Sequence, residues 1–451
     1  MTDIIPEVNK LLLEREQAFL LHSIARPPAD KRLIFVEGKG AILKDINGKE
    51  YIDGISGTNG PLLVGHSHPR VVQAVKNQAE KLCQHMTCFD NIPSIEAAGK
   101  LHAIVPSEWK LGKTYFCPGG GEAVEAALKL VMKQTRKSEV ISLYLSYHGL
   151  SLGTMSLGGM PWLRSFIPGG IRWPGFHQIP NAYCYRCPYG LEHPGCGIQC
   201  ATELESAIKY ASSGNVAAFI MEPVQGPGGH IEFPDEYYRE VRRICDENSV
   251  VLIADEVQTG LGRCGAMFAS QLHNLRPDVL VLGKALGGGL PIGAVMFRED
   301  LTPPELEKET WHSLTFQNNP LVCAAASAVL DIIRDERLPE RAARLGKEFT
   351  ETFQQLAEKY PVVGEVRGPG LFIGLELVKN RKTKEPAKEE TSRAVWSALD
   401  KGLITFTGGL GNVLKVKPPL TITDEQADRL LNIIGEIIAE ANRPIAGSHG
   451  H

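Results

Sequence analysis

Two short runs of branched apolar residues constrain this chain more than any other feature. The first, Val250 to Asp255, ends in a carboxylate; the second, Val279 to Gly283, ends at Lys284. Uninterrupted apolar runs of this length are what a parallel strand buried on both faces requires. Each is followed by turn-forming glycines, Gly260 and Gly262 in one case and Gly287, Gly288 and Gly289 in the other. Ligands of open α/β sheets bind beyond the carboxyl ends of such strands. Asp255 and Lys284 are therefore expected together at a ligand site. Taken singly, an aspartate capping a helix and a lysine in an ordinary glycine loop would look the same. A phosphate-binding P-loop does not fit, because Gly283-Lys284-Ala285 lacks the hydroxyl residue and the upstream glycine spacing.

A carboxylate and a lysine in this arrangement suit one kind of cofactor. A pyridine ring acting as an electron sink needs an anion to keep its nitrogen protonated, and its aldehyde needs an amine to hold it as a Schiff base. Asp255 and Lys284 offer one of each, which points to pyridoxal 5'-phosphate.

Further apolar runs at 114–117, 140–145, 216–221 and 292–297 alternate with helix-patterned stretches at 122–134, 203–211 and 234–248. Alternation of this kind predicts an α/β fold around a mostly parallel sheet, with a large cofactor-binding domain over 65–325. Residues 32–53 read as a small β-meander. At the other end, 363–377 and 403–420 read as strands between helices at 338–360 and 424–441. The segments 1–64 and 326–451 are expected to build one small α+β domain from both termini. The charge-rich stretch 379–390 reads as a solvated loop and helix start, and the tail from Gly447 is set aside as loose.

Hydrophobic residues make up 43% of the 451 and charged residues 22%, the balance of a globular enzyme. A net charge of -4 gives no reason to expect nucleic acid, and no apolar run is long enough to span a membrane. The first residues carry neither a signal nor a transit pattern, so a cytoplasmic location is expected, with the ten cysteines held mostly as thiols.

Other positions after strands could serve the same ligand. Gly119, Gly120 and Gly121 precede a helix with Glu122 in its first turn, where free amides and the helix dipole favour a phosphate, although a glycine triplet is often only a turn. Tyr147, His148 and Gly149 offer a ring to stack and a glycine for close backbone approach, or simply a tyrosine buried at a turn. Gln258 is placed to hydrogen-bond a ring hydroxyl. The segment from Trp311 to Pro320, with Thr315, opens a helix with polar donors suited to an anion or to a helix cap.

Seven ordered motifs then carry a resemblance over nearly the whole chain: Gly-His-Ser-His-Pro at 65–69, Gly-Gly-Glu-Ala-Val-Glu-Ala-Ala-Leu-Lys at 120–129, Tyr-His-Gly at 147–149, Glu-Pro-Val at 222–224, Asp-Glu-Val-Gln-Thr-Gly at 255–260, Gly-Lys-Ala-Leu-Gly-Gly-Gly at 283–289 and Pro-Pro-Leu at 418–420. The chain resembles class III pyridoxal-phosphate-dependent aminotransferases of fold type I. The resemblance implies a large domain with a seven-stranded, mostly parallel sheet, and a homodimer, with a tetramer left open. It implies that Lys284 carries the cofactor and moves protons, Asp255 pairs with the pyridinium and Tyr147 stacks on the ring. Gln258 would meet the ring hydroxyl, and Gly120, Gly121 and, across the dimer, Thr315 would hold the phosphate. Glu222 and His148 complete the cofactor-binding set. A small amine or amino acid would be the donor and a 2-oxo acid the acceptor. The rival is a racemase or epimerase using the same lysine, followed by a decarboxylase or lyase.

Three places depart from the family pattern. Gly119 and Gly121 stand where a serine or threonine is usual, so backbone amides must hold the phosphate. Lys415 stands where carboxylate-recognising relatives commonly have arginine, which removes the bidentate fork and leaves a point charge toward the substrate, or a side chain that reaches solvent. Residues 53–60 lack the glutamine of dialkylglycine decarboxylases. Cys184, Cys187, Cys196 and Cys200 have the pairing of a zinc site, but the gap between pairs is short. The segment is read as a loop shaping the substrate entrance, with no metal assigned.

Overall fold

The computed structural model describes residues 4–165, 170 and 172–443; the tail from Gly447 lies outside them. Its centre is a seven-stranded sheet whose strands are, in chain order, β1 (Leu111–Cys117), β2 (Glu139–Leu143), β3 (Phe176–Ile179), β4 (Val216–Met221), β5 (Val251–Asp255), β6 (Val279–Gly283) and β7 (Gly293–Arg298). In space they run β1-β7-β6-β5-β4-β2-β3. The links from β6 through β5, β4 and β2 to β3 are parallel, and β7 is antiparallel to both of its neighbours.

Every residue of β4, β5 and β6 is buried, which explains their lack of polar alternation. Successive side chains still divide between two cores with the period of two that a strand imposes. Ala254, Leu280, Leu282 and Met296 pack with Ala326, Val329 and Leu330 of the helix Pro320–Asp335. Ile253, Val279, Val281 and Val295 pack with Ala123, Val124 and Ala127 of the helix Gly120–Thr135.

The ends of the chain meet. Strands Phe35–Lys39, Ile42–Asp45 and Glu50–Asp53 form an antiparallel meander, and Leu403–Ile404 adds to its edge in parallel with Ile52 and Asp53. A second sheet joins Val363–Arg367, Ile373–Asn380, Val413–Val416 and Phe406–Gly408. The fully buried Arg263 ties these parts together: its guanidinium donates to Leu371 O at 3.2 Å, Pro418 O at 2.6 Å and Ser56 Oγ at 3.0 Å.

One expectation is revised. The segment 311–319 does not begin a helix. The helix starts at Pro320, where the Asn319 side chain accepts from Leu321 N and Val322 N at 3.0 and 3.2 Å, so this polar segment supplies a helix cap. Among the longer helices, Ile4–Phe19, Pro69–Ala79 and Ile92–Ile104 had no sequence expectation.

Candidate active site

The register of the sheet brings the two charged strand ends together. Asp255 pairs with Val281 across the parallel β5–β6 ladder, and Lys284 follows β6 directly. On the other side Met221 pairs with Ala254, so Glu222 emerges at the same edge. Lys284 has φ +40°, a backbone region costly for a side-chain-bearing residue and held by its surroundings.

These ends line a cavity of about 390 Å³ together with Gly120, Gly121, Glu122, Tyr147, His148, Gly149, Val257 and Gln258. A larger cavity of about 470 Å³, walled by Tyr183, Arg186, Glu376 and Asn412, shares none of these residues. The convergence of five strand ends singles out the smaller one.

Asp255 does not cap a helix. Its neighbour Glu256 does, accepting from Ala269 N at 2.9 Å and Ser270 N at 2.7 Å. Asp255 instead places Oδ2 2.8 Å from His148 Nδ1 and accepts from Val257 N at 3.2 Å. Glu222 is buried and bridges two loops, accepting from Tyr147 N and Gly226 N, each at 2.9 Å. Burial pushes its carboxyl up to about 7; nearby His148 opposes the shift and Asp255 adds to it. Burial lowers the Lys284 amine from its usual value, against the opposing charges of Asp255 and Glu222. A lowered lysine keeps more neutral amine at neutral pH, the form that attacks a carbonyl or takes a proton.

Tyr147 stacks on Trp162 with ring centroids 6.3 Å apart, a partner no sequence signal announced. Gln258 accepts from Lys417 Nζ at 2.8 Å through Oε1, which leaves its amide nitrogen as the donor toward the cavity. Lys415 is buried and sits 3.0 Å from Asn59 Oδ1, so it does not run to solvent. Thr315 is exposed in its own chain and lines no part of this cavity; its carbonyl accepts from the Gln84 side chain.

The cysteine-bearing segment contributes nothing to the cavity. Cys184, Cys187, Cys196 and Cys200 line a separate void of about 20 Å³ with Tyr189 and His193. Among the described residues, no group of three histidine, cysteine or acidic side chains is arranged to hold a metal. Arg186 of this segment and Tyr183 just before it wall the larger cavity.

The residues present fit pyridoxal phosphate. The helix Gly120–Thr135 begins behind an extended Gly119 with no side-chain cap, so its first amides are open to an anion, with Glu122 folding back over Gly119. The cradle depends on missing side chains. A Cβ on Gly120 would stand 3.0 Å from Val257 Cγ1, and one on Gly149 (φ +133°) would stand 2.6 Å from Thr154 Oγ1 and 2.9 Å from Gly121 Cα. His148 Nε2 is buried without a protein partner, a polar atom that a bound group can satisfy.

Comparison with known proteins agrees. A family model described as aminotransferase class-III matches residues 24–438. A leucine/methionine racemase from Thermococcus litoralis is 36% identical over 423 residues, 92% of each chain. An acetylornithine aminotransferase from Methanothermobacter thermautotrophicus is 35% identical over 430 residues, 95% of this chain and 98% of its own. An amine transaminase from an uncultivated Pseudomonas species, solved in its PLP-bound form, superposes with a TM-score of 0.87 at 32% identity, covering 94% of this chain and 99% of that one.

Proposed function

Since the chain belongs to the class III aminotransferases, we propose that this cavity moves an amino group from a small amine or amino acid, on the α or a more distant carbon, to a 2-oxo acid. The protein is a pyridoxal-phosphate-dependent transaminase of fold type I acting on small-molecule amines and oxo acids. When bound, the cofactor supplies an aldehyde that captures amines and a ring that draws electrons from the carbon bearing the nitrogen.

The observation that carries the reading is the pairing of Asp255 with Val281, which sets a carboxylate and the Lys284 amine on adjacent parallel strands at one cavity. In this reading Asp255, fixed by the His148 ring, is the anion that keeps the cofactor's ring nitrogen protonated. The open amides at Gly120 and Gly121 receive the phosphate, and the Gln258 amide donates to the ring hydroxyl. Tyr147, braced by Trp162, covers the ring face. Lys284 would hold the cofactor through its amine and, when free of it, would be the group that moves a proton between the substrate carbon and the cofactor's carbon. Glu222 lines the substrate side.

We also assign a homodimer, in which Thr315 serves the cavity of a second subunit, and a cytoplasmic location. Residues 65–325 form the cofactor-binding domain, and 1–64 with 326–451 form the smaller one, with the helix Pro320–Asp335 as the connection. No helix among the described residues is long and apolar enough to cross a membrane.

The test is the absorption spectrum of the holoenzyme mixed with a panel of amines and amino acids in the absence of oxo acid. Conversion of the cofactor to its amine form with stoichiometric oxo product is the expected result. A second reading, racemisation, is favoured by the relative from Thermococcus litoralis. An inverted amino acid with the cofactor unconverted would replace the first reading by the second.

A further inference from the structure

Lys415 and Lys417 bring two ammonium groups to one oxygen. Lys415 Nζ lies 3.0 Å and Lys417 Nζ 3.2 Å from Asn59 Oδ1. Residues two apart on an extended strand share a face, and the strand Val413–Val416 with its continuation aims both the same way. The lysines are 3% and 1% exposed, too deep for water to neutralise them.

No carboxylate answers them. Among the described residues neither ammonium forms an ion pair; the recorded polar partners of the two are Asn59 and Gln258, and the rings of Phe406 and Phe372 lie 5.4 and 5.2 Å from Lys415 and Lys417. The nearby charges make matters worse. Lys284 opposes both lysines, Arg263 and Lys415 also oppose Lys417, and Glu222 alone favours it. Burial and these neighbours lower Lys415 to about 8 and Lys417 well below its ordinary value. A buried lysine without a counter-charge is driven toward its neutral form, and a ligand that brings negative charge favours the ammonium form of both.

The position says which ligand. Lys417 touches Gln258, a wall of the cofactor cavity, and Asn59 is half-buried beside the exposed Thr58. Asn59 stands at φ +63°, a conformation asparagine tolerates, and this turns its amide oxygen into the space between the ammoniums. Resting on the aminotransferase reading above, we propose that Lys415 and Lys417 form the docking point for a phosphoryl group on the substrate, displacing the Asn59 oxygen. Two separately mounted point charges converge on one position, which suits a tetrahedral dianion whose oxygens diverge from a common centre. A planar carboxylate is matched by the fork of an arginine, which neither position carries.

The test uses the holoenzyme and four primary amines with a two-carbon spacer or its neutral equivalent: 2-aminoethylphosphonate, O-phosphoethanolamine, β-alanine and propylamine. Specificity is read as oxo product formed per unit time, and docking as calorimetric binding of methylphosphonate. The phosphonate and the phosphate ester should exceed β-alanine and propylamine by at least about tenfold in kcat/KM. Lys415→Met and Lys417→Met should each lower the ratio of phosphoryl to neutral donor by about tenfold or more and weaken methylphosphonate binding similarly, at equal cofactor content. Lys415→Arg should move the preference toward β-alanine.

Equal rates for all four donors, or a preference that survives both methionine variants, would overturn the docking point. If none of the four converts the cofactor, the wider panel of amines and amino acids decides the aminotransferase reading, and methylphosphonate binding decides the docking point. Release of inorganic phosphate, ammonia and acetaldehyde from O-phosphoethanolamine, with the cofactor left unconverted, would replace transamination by elimination and support the docking point.

Discussion

His148 Nδ1 lies 2.8 Å from Asp255 Oδ2 with both groups buried, and the opposite ring nitrogen of His148 has no protein partner. The carboxylate thereby fixes the ring's orientation, and the ring limits where the carboxylate can turn. The pair is a positioned anion with one unused contact, kept for something that is not protein.

The first prediction follows from that charge. Asp255→Asn keeps the shape and removes the anion, so single-turnover conversion of the cofactor by a good amine donor should slow by about 10²–10³-fold. His148→Gln should leave the anion and cost cofactor affinity by about 10–100-fold. Stopped-flow absorbance and equilibrium dialysis measure the two effects. An Asp255→Asn variant of normal rate would remove Asp255 from the chemistry.

Lys284 is the second. Borohydride reduction of the holoenzyme should fix the cofactor's mass to the peptide containing Lys284, and Lys284→Ala should lose both that adduct and the visible absorbance of the lysine-bound cofactor. Peptide mass spectrometry reads this directly. An adduct on Lys415 or Lys417 would redraw the site.

Gly149 gives the third. Its φ of +133° and the 2.6 Å approach of an added Cβ to Thr154 Oγ1 leave no room for a side chain. Gly149→Ala should destabilise the fold by about 1–3 kcal/mol and weaken cofactor binding, because Gly121 lies on the same contact. Gly120→Ala meets only the Val257 side chain at 3.0 Å and should cost less. Thermal unfolding with and without cofactor compares them.

The fourth concerns Glu222, whose carboxyl is raised by burial from 4.5 to about 7. Between those values the folded protein keeps a proton that the unfolded chain has released. Stability should therefore fall as pH rises from about 4.5 to about 7 and level off above, by on the order of 3 kcal/mol in total from this group. Glu222→Gln, which cannot titrate, should flatten that part of the profile. It should also lose one of the two bonds to Tyr147 N and Gly226 N, since an amide nitrogen cannot accept. Denaturant unfolding across pH 4.5–8 checks both.

Much of the fold was legible because the central strands are buried on both faces and so carry no polar residues to blur the pattern. The strand ends Asp255 and Lys284 stood out for the same reason. Other features were closed to that reasoning. Asp255 and Glu256 are adjacent and both acidic, and only the geometry shows that Glu256 caps the next helix while Asp255 faces the cavity. Asn59 and Lys417 meet across 358 positions of chain, and no local pattern announces a contact of that range. The helices Pro69–Ala79 and Ile92–Ile104 carried readable signals, a proline in the first turn and a side-chain cap each; Ile92–Ile104 has no clean apolar stripe, whereas Pro69–Ala79 has one, through Val71 and Val75, that went unread.

The antiparallel strand β7 has one more consequence. It separates β1 from β6 in the sheet, yet the chain leaving β1 crosses over its first residue: a Cβ on Gly293 would strike Gly119 O, and a Cβ on Gly283 would stand 3.4 Å from Gly120 Cα. The start of the glycine-led helix and the backbone before Lys284 therefore meet with no side chain between them. A methyl group added at Gly293 would act at a distance, by lifting the helix start off the sheet and away from the lysine, without touching anything in the cavity.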